Sequence, residues 1–263
     1  MPRVLLITGA SRGIGAATAV LAAERGFDVA VNYRRDAEAA GRVVDAVREK
    51  GRRAVAIQAD VAVAADVERL FKTVDETLGP LSALVNGAGI GSGGARVEDT
   101  DLVELERLFR TNVIGLILAS REAVRRLSTR HGGQGGAIVN VSSMAATIGG
   151  RPGASHYAAS KGAVDAFTTG LAKEVAGEGI RAVAVRPGFT RTDMTRSWSA
   201  DPQLFADIAA TIPFGRPAEA AEIARPIVWL LSEEASFVSG AHLDISGGGF
   251  LIGAGQPERP RRI

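Results

Sequence analysis

Tyr157 and Lys161 are four residues apart, and in a helix that separation places two side chains on one face, about one turn from each other. A phenol has a pKa of about 10, too high for a base at neutral pH, and a neighbouring ammonium favours the phenolate and lowers that value. The pair can therefore move a proton. Upstream, Ser142 and Ser143 end an apolar run and offer a hydroxyl to the same chemistry. The chain has no cysteine, which removes thiolate metal sites, cysteine nucleophiles and disulfides. His131, His156 and His242 show no metal-ligand spacing, so no metal is expected, and His156 reads as a surface residue although it adjoins Tyr157.

A second constellation lies near the N-terminus. The apolar run Arg3 to Thr8 leads into Gly9-Ala10-Ser11-Arg12-Gly13-Ile14-Gly15 and then into a helical pattern. Glycines allow a tight turn and the close approach of a phosphate, whose charge is favoured by free N–H groups at a helix start. The spacing Gly-x-x-x-Gly-x-Gly is neither the commonest dinucleotide fingerprint nor a Walker loop. After the second apolar run the sequence reads Val31-Asn32-Tyr33-Arg34-Arg35-Asp36. An NAD site places an acid at such a strand end for the ribose hydroxyls, whereas a 2′-phosphate calls for arginine. Here Asp36 comes late and reads as a helix cap. Arg34 and Arg35, with Arg12, can surround a phosphate with charge-assisted donors, so NADP(H) is the expected cofactor.

The elements that must position these residues follow from periodicity. Strands are expected at 3–8, 28–32, 53–58, 83–86, 137–142, 181–186 and 242–245, and helices near 14–25, 36–50, 64–78, 101–129, 157–177 and 219–232. Gly26, Gly51, Gly79 and Gly179 mark helix ends. The strands are apolar on both faces, which predicts an α/β fold: one doubly wound, Rossmann-like parallel sheet of about seven strands, covered by helices on each side. In such sheets ligands sit beyond the carboxyl ends of the strands, where the glycine turn and the Ser-Tyr-Lys group would both lie.

In order along nearly the whole chain, these motifs resemble the classical short-chain dehydrogenase/reductase family. Asp60-Val61 is similar to the pair that borders the adenine there, and Asn86-Gly87-Ala88-Gly89 resembles the family's Asn-Asn-Ala-Gly with one substitution. Asn112, Ser143, Tyr157-Ala158-Ala159-Ser160-Lys161 and Pro187-Gly188-Phe189-Thr190-Arg191-Thr192 follow at the family's stations. The resemblance implies that Tyr157 transfers the proton, Ser143 holds the substrate oxygen, and Lys161 also binds the nicotinamide ribose. It implies further that Asn112 positions a water linking Lys161 to solvent. The implied cofactor site comprises Gly9, Ser11, Arg12, Gly13, Ile14, Gly15, Asn32, Arg34, Arg35, Asp60, Val61, Asn86, Ala88, Gly89, Tyr157, Lys161, Pro187, Gly188, Thr190 and Thr192. Because the Ser143–Tyr157 gap is one residue longer than is common, Ser142 remains a rival to Ser143.

With 263 residues, 46% hydrophobic and 23% charged, the chain can bury one substantial core. Residues 1–254 are expected to form one oxidoreductase domain, with a substrate lid at about 189–216 and a solvated tail at 255–263. That lid carries Met194, Trp198, Phe205, Ile212 and Phe214. A net charge of +2, with acids and bases interleaved, gives no expectation of nucleic acid. No signal peptide or membrane span is visible, so a cytoplasmic protein is expected. The substrate class is a small carbonyl or alcohol. An NAD-linked sugar or alcohol dehydrogenase and a non-catalytic dinucleotide sensor stand as alternatives, the second disfavoured because a sensor has no use for an activated phenol. Segments 101–129 and 157–177 carry more apolar residues (Leu102, Leu105, Leu108, Val113, Leu116, Phe167, Leu171 and Val175) than one sheet-facing stripe requires, and the resemblance, in which this helix pair often meets its symmetry mate, implies a homotetramer, with a dimer second. Arg125, Arg126 and Arg130 read as an ordinary solvated helix face.

Overall fold

The computed structural model describes residues 3–92, 94–195 and 201–249. In chain order the elements are β1 (Arg3–Thr8), α1 (Gly13–Glu24), β2 (Phe27–Tyr33), α2 (Ala37–Glu49), β3 (Ala54–Gln58), α3 (Ala64–Thr77) and β4 (Leu81–Asn86). Then come α4 (Leu102–Phe109), a π-helical turn (Arg110–Ile114), α5 (Gly115–Leu127), β5 (Gly136–Val141), α6 (Ala145–Ile148), α7 (Ser155–Val175) and β6 (Ile180–Pro187). The last part contains β7 (Thr190–Arg191), α8 (Pro202–Ala210), β8 (Ala218–Glu219), α9 (Ala220–Leu230) and β9 (His242–Ile245).

One seven-stranded sheet has the order β3-β2-β1-β4-β5-β6-β9 with every pairing parallel, and β7 and β8 form a separate two-stranded pair. The chain reverses its winding between β1 and β4, which opens a crevice beyond Thr8 and Asn86, themselves register partners. Strand alternation sorts the core into two layers. Leu5 and Ile7 of β1 face one cluster with α1, α2 and α9, while Val4 and Leu6 face the other with α3, α5 and α7. Gly26, Gly51, Gly79 and Gly179 all adopt positive φ at helix ends, as the stop signals require.

One expectation needs correction, and two regions gain detail. The helix anticipated over 101–129 is broken, because the π turn inserts at Arg110–Ile114 with Gly115 N–H bonded to Arg110 O. A π turn carries no signature in hydrophobic periodicity. Strand β2 runs one residue further at each end than expected, and its Asp28 carboxylate is held by Arg52 and Arg53 at 2.7 and 2.8 Å. The described part of the expected lid contains α8, and β7 at its start pairs with β8. Trp198 and the 255–263 tail lie outside the described residues.

Candidate active site

The nucleotide-side wall is made of two turns pressed together. Gly9 and Gly13 adopt φ of +66° and +55°, a region open to glycine and costly for most other residues. A Cβ on Gly9 would come within 2.7 Å of Ala88 Cα, and one on Gly15 within 2.6 Å of Gly9 O. Thr8, given no role by sequence reasoning, accepts through its hydroxyl from Gly87 N–H at 3.1 Å and Ala88 N–H at 3.2 Å. Arg12 stands at the N-cap of α1 without a capping side-chain bond, and the first turn contains no acid. This is a cradle that side chains would fill, with free amides at its base, and it fits the pyrophosphate of a dinucleotide.

Beyond it lies an exposed cluster of charge. Asp36 caps α2, accepting from Ala39 N–H at 2.9 Å, as anticipated. Arg12 reaches Asp36 at 3.3 Å and Asp193 at 3.4 Å, and Arg34 Nε meets Asp60 at 2.7 Å. Arg35 is exposed beside them. Asn32 is placed differently from its companions. It is buried, its Oδ1 accepting from Gly9 N–H at 3.2 Å and its Nδ2 donating to the carbonyls of Ile57 and Ala59, so it braces the glycine turn from beneath. Val61 is buried against the start of α5, where Gly115 leaves room for its carbonyl.

At the reaction end Lys161 and Asn112 are buried, while Ser143 and Tyr157 are half-buried. Ser143 follows β5, and its hydroxyl is near enough to the Tyr157 phenol to favour the ionised form. Ser142 instead is buried and donates to Lys161 O at 3.2 Å, so Ser143 is the serine beside the phenol. Lys161 Nζ donates to Val141 O at 2.8 Å and lies 5.8 Å from the centre of the Tyr157 ring. Burial pushes the Tyr157 phenol up, with the Ser143 hydroxyl opposing. Burial likewise pulls Lys161 down to about 8, with the Asp165 carboxylate opposing. Burial is thus the larger influence on the phenol, and it keeps the protonated form.

Asn112, on the π turn, is fully buried. Its Oδ1 accepts from Ile90 N–H at 2.8 Å, and its Nδ2 donates to Ile90 O at 2.9 Å and Ser160 Oγ at 3.1 Å. Its side chain thus fastens the segment after β4 to α7. Ser160, which the sequence reading quoted without a role, completes the link by donating to Tyr157 O at 2.7 Å. Gly89 sits against both groups, since a Cβ there would lie 3.4 Å from Asn112 Oδ1 and 3.5 Å from Lys161 Nζ. Asn86 faces inward: it donates to Ser120 Oγ at 3.0 Å and to Asn140 Oδ1 at 2.9 Å, and Asn140 donates to Thr168 Oγ1 at 2.9 Å. A carbonyl contributed by Pro187 accepts from Met144 N–H at 3.0 Å, Gly188 packs against Ser246, and Thr190 donates to Gly188 O at 3.0 Å. Thr192 touches the space beside Gly13, where a Cβ would meet it at 3.3 Å. The structure therefore brings the β1, β4, β5 and β6 turns to one crevice, with Asn32, Asn86 and Asn112 bracing it.

The remaining candidates fall outside the crevice. His156 Nε2 lies 3.0 Å from Thr100 Oγ1 and ties α7 to the segment before α4. No group of His, Asp and Glu suited to a metal occurs among the described residues, and no described helix is long and apolar enough to cross a membrane. Arg125 and Arg126 pair with Glu122, and Arg130 with Glu178. Leu108, Leu116, Leu171 and Val175 belong to the core, whereas Leu102, Val103, Ile114 and Ile117 are exposed along α4 and α5.

Comparison with known proteins gives a consistent picture. The profile of a family described as enoyl-(acyl carrier protein) reductase matches residues 9–249. An Escherichia coli protein named as an uncharacterized oxidoreductase, YgfF, is 45% identical over 93% of this chain and 99% of its own. The 3-oxoacyl-(acyl-carrier-protein) reductase FabG of Staphylococcus aureus is 35% identical over 95% of this chain and 99% of its own. Among solved structures, a short chain dehydrogenase from Burkholderia cenocepacia in complex with NADP superposes with a TM-score of 0.85 at 37% identity, covering 95% of this chain and 98% of that one.

Proposed function

The chain belongs to the short-chain dehydrogenase/reductase family, and from that premise we propose that it is an NADP(H)-dependent oxidoreductase acting on a small carbonyl or alcohol, with Tyr157 as proton donor and acceptor. The observation that carries this reading is the convergence of Ser143, after β5, with Tyr157 and Lys161 of α7 at the carboxyl edge of the sheet, where Lys161 Nζ is held by Val141 O at 2.8 Å and lies 5.8 Å from the Tyr157 ring. When bound, the nicotinamide supplies or accepts the hydride. Ser143 holds the substrate oxygen, and Tyr157 passes its phenolic proton to that oxygen as the carbonyl becomes an alcohol. A phenol kept protonated by burial suits the acid's part in that direction. Lys161 holds the ribose and the local positive charge, while Asn112 and Ser160 fix the segment over which both lie.

The glycine turn, with Ser11 and Ile14, cradles the pyrophosphate. Asp60 and Val61 border the adenine, and Asn86, Ala88, Gly89, Pro187, Gly188, Thr190 and Thr192 line the remaining cofactor path. Arg12, Arg34 and Arg35 take the 2′-phosphate. Support for NADP(H) comes from the end of β2, which carries Tyr33 and arginines rather than an acid, and from the NADP held by the Burkholderia relative. Two of those arginines already hold carboxylates, so a phosphate would replace one anion by another rather than enter an empty cationic site. The proposed assembly is a cytoplasmic homotetramer that covers the exposed apolar residues of α4 and α5. Light scattering showing a monomer at micromolar concentration would reject it.

The decisive experiment follows NADPH and NADH oxidation, and the reverse reaction, across ketones, 3-oxoacyl thioesters, sugars and simple alcohols. NADPH-dependent reduction of a carbonyl is the expected result. Turnover with NAD alone would reassign the cofactor, and tight cofactor binding without turnover on any substrate would indicate a sensor.

A further inference from the structure

We propose that Asp165 is a positioning residue for the proton-transfer group: from one turn along α7 its carboxylate holds the charge on Lys161, and Arg186 on β6 limits that influence. The catalytic meaning of the inference rests on the role proposed for Lys161. Asp165 follows Lys161 by four residues, which sets the two side chains on the same helix face. Its Oδ2 accepts from Arg186 Nε at 2.8 Å, whereas its Oδ1 is buried with no hydrogen-bond partner. A buried carboxylate oxygen left without a donor is costly. Here the cost falls beside a buried amine, and a negative charge is what keeps such an amine protonated.

Among the described residues nothing else around Lys161 does this. The groups nearest it, Val141 O, Tyr157 and Asn112, are uncharged at neutral pH, and β5 and α6 carry no ionisable residue. Glu104, Glu106, Arg107 and Arg110 on α4 and the π turn are exposed. The charges of α5 are matched with each other and with Glu68 and Asp75 of α3. His156 is held by Thr100 at the start of α7, and Lys173 and Glu174 lie at its far end. Asp165 is accordingly the one ionic group whose effect on Lys161 is resolved, and it opposes the burial that draws the amine down to about 8. Around Asp165 itself stand Arg186, whose Nη1 also reaches Asp244 at 3.4 Å, and the His242 ring, 3.1 Å from Asp165 O and 3.5 Å from Thr169 Oγ1. Arg186 neutralises part of the carboxylate and so weakens its hold on the amine. The two residues therefore act on Lys161 with opposite signs.

Lys50, Lys72, Lys161 and Lys173 are the four lysines of the chain, so carbon-13 lysine NMR can follow each titration in the cofactor-free protein. D165N should lower the Lys161 midpoint by about one pH unit, a tenfold change in its ionisation, and D165E should restore it. R186Q should raise it. The alkaline limb of kcat should move with the midpoint in both variants while KM stays near the wild-type value. A midpoint unmoved in both variants, or moved in the same direction by both, overturns the proposal. Should D165N not fold, the sign of the R186Q shift decides alone. Because the titration needs no turnover, a wild-type protein inactive on every carbonyl would defeat the functional reading and leave this inference standing.

Discussion

At the outer end of the crevice, Arg12 and Arg34 hold Asp36, Asp193 and Asp60 in ion pairs open to solvent. At the inner end, Ser143, Tyr157, Lys161 and Asn112 are packed among backbone carbonyls and neutral side chains. The first arrangement is cheap to rearrange, because an exposed ion pair is worth about 0–1 kcal/mol and is screened by salt. The second is not, since each buried polar group is fixed by its neighbours and its protonation is set by desolvation. One region is suited to exchanging anions, the other to holding a proton in place.

The sharpest way to break that contrast is at the phenol. Y157F should lower turnover by about 10²- to 10⁴-fold while cofactor affinity, read by fluorescence titration, stays near wild type. Near-normal turnover would remove Tyr157 from the reaction.

Lys161 comes next, and here activity and stability should move in opposite directions. Its pKa falls from 10.5 when unfolded to about 8 in the fold, so between those values the unfolded chain binds more protons and this group's contribution to stability rises with pH. Its active, charged form is lost over the same range. Carbonyl reduction should therefore decline as pH rises through about 8. K161M, inactive, should be more stable than wild type at pH 7 by up to about 3 kcal/mol, a gap that closes toward pH 10.5 in denaturant titrations. A constant gap would show that the amine is not buried in its charged form.

At the exposed end the effects should be smaller. Replacing Arg34 and Arg35 together by alanine should weaken NADPH by at least about tenfold and leave NADH nearly unchanged, with the difference shrinking at raised salt. Equal loss of both cofactors would point to damage of the fold. Smallest of all, D36N removes a competitor for Arg12 yet keeps a capable helix cap, so NADPH should bind more tightly by no more than about fivefold with little change in stability. Weaker binding would mean that Asp36 orients Arg12 for the phosphate.

What the sequence revealed of this site follows the same division between local and tertiary causes. The Gly9-to-Gly15 spacing, the Tyr157–Lys161 interval and the Asp36 cap are local patterns, and the alternation that sorts Leu5 and Ile7 from Val4 and Leu6 is equally local. Ser142 and Ser143 could not be separated, because the choice depends on which hydroxyl meets a side chain from another element. The π turn at Asn112 was illegible for a related reason: it is justified by a partner at Ile90 and another at Ser160, neither of which periodicity can register. The burial that raises the Tyr157 phenol was equally illegible, because the pairing with Lys161 is written in the interval, whereas desolvation is a property of the assembled site.

The buried carboxamides of Asn86 and Asn140 have a consequence for assembly of the sheet. They are register partners on β4 and β5, joined at 2.9 Å, and Asn140 continues to Thr168 on α7. If β4 slid by one residue along β5, the Asn86 amide would turn to the opposite face and the bond it shares with Asn140 would be lost in an apolar interior. Hydrophobic strands tolerate such slips poorly at best, but valine against valine offers little to tell one alignment from the next. The asparagine pair supplies that discrimination at the ends of the strands, where a one-residue error would carry Ser143 and Gly89 about 3.3 Å apart from their places. It acts as a molecular vernier, aligning the two strands to the one position in which the crevice can close around its ligand.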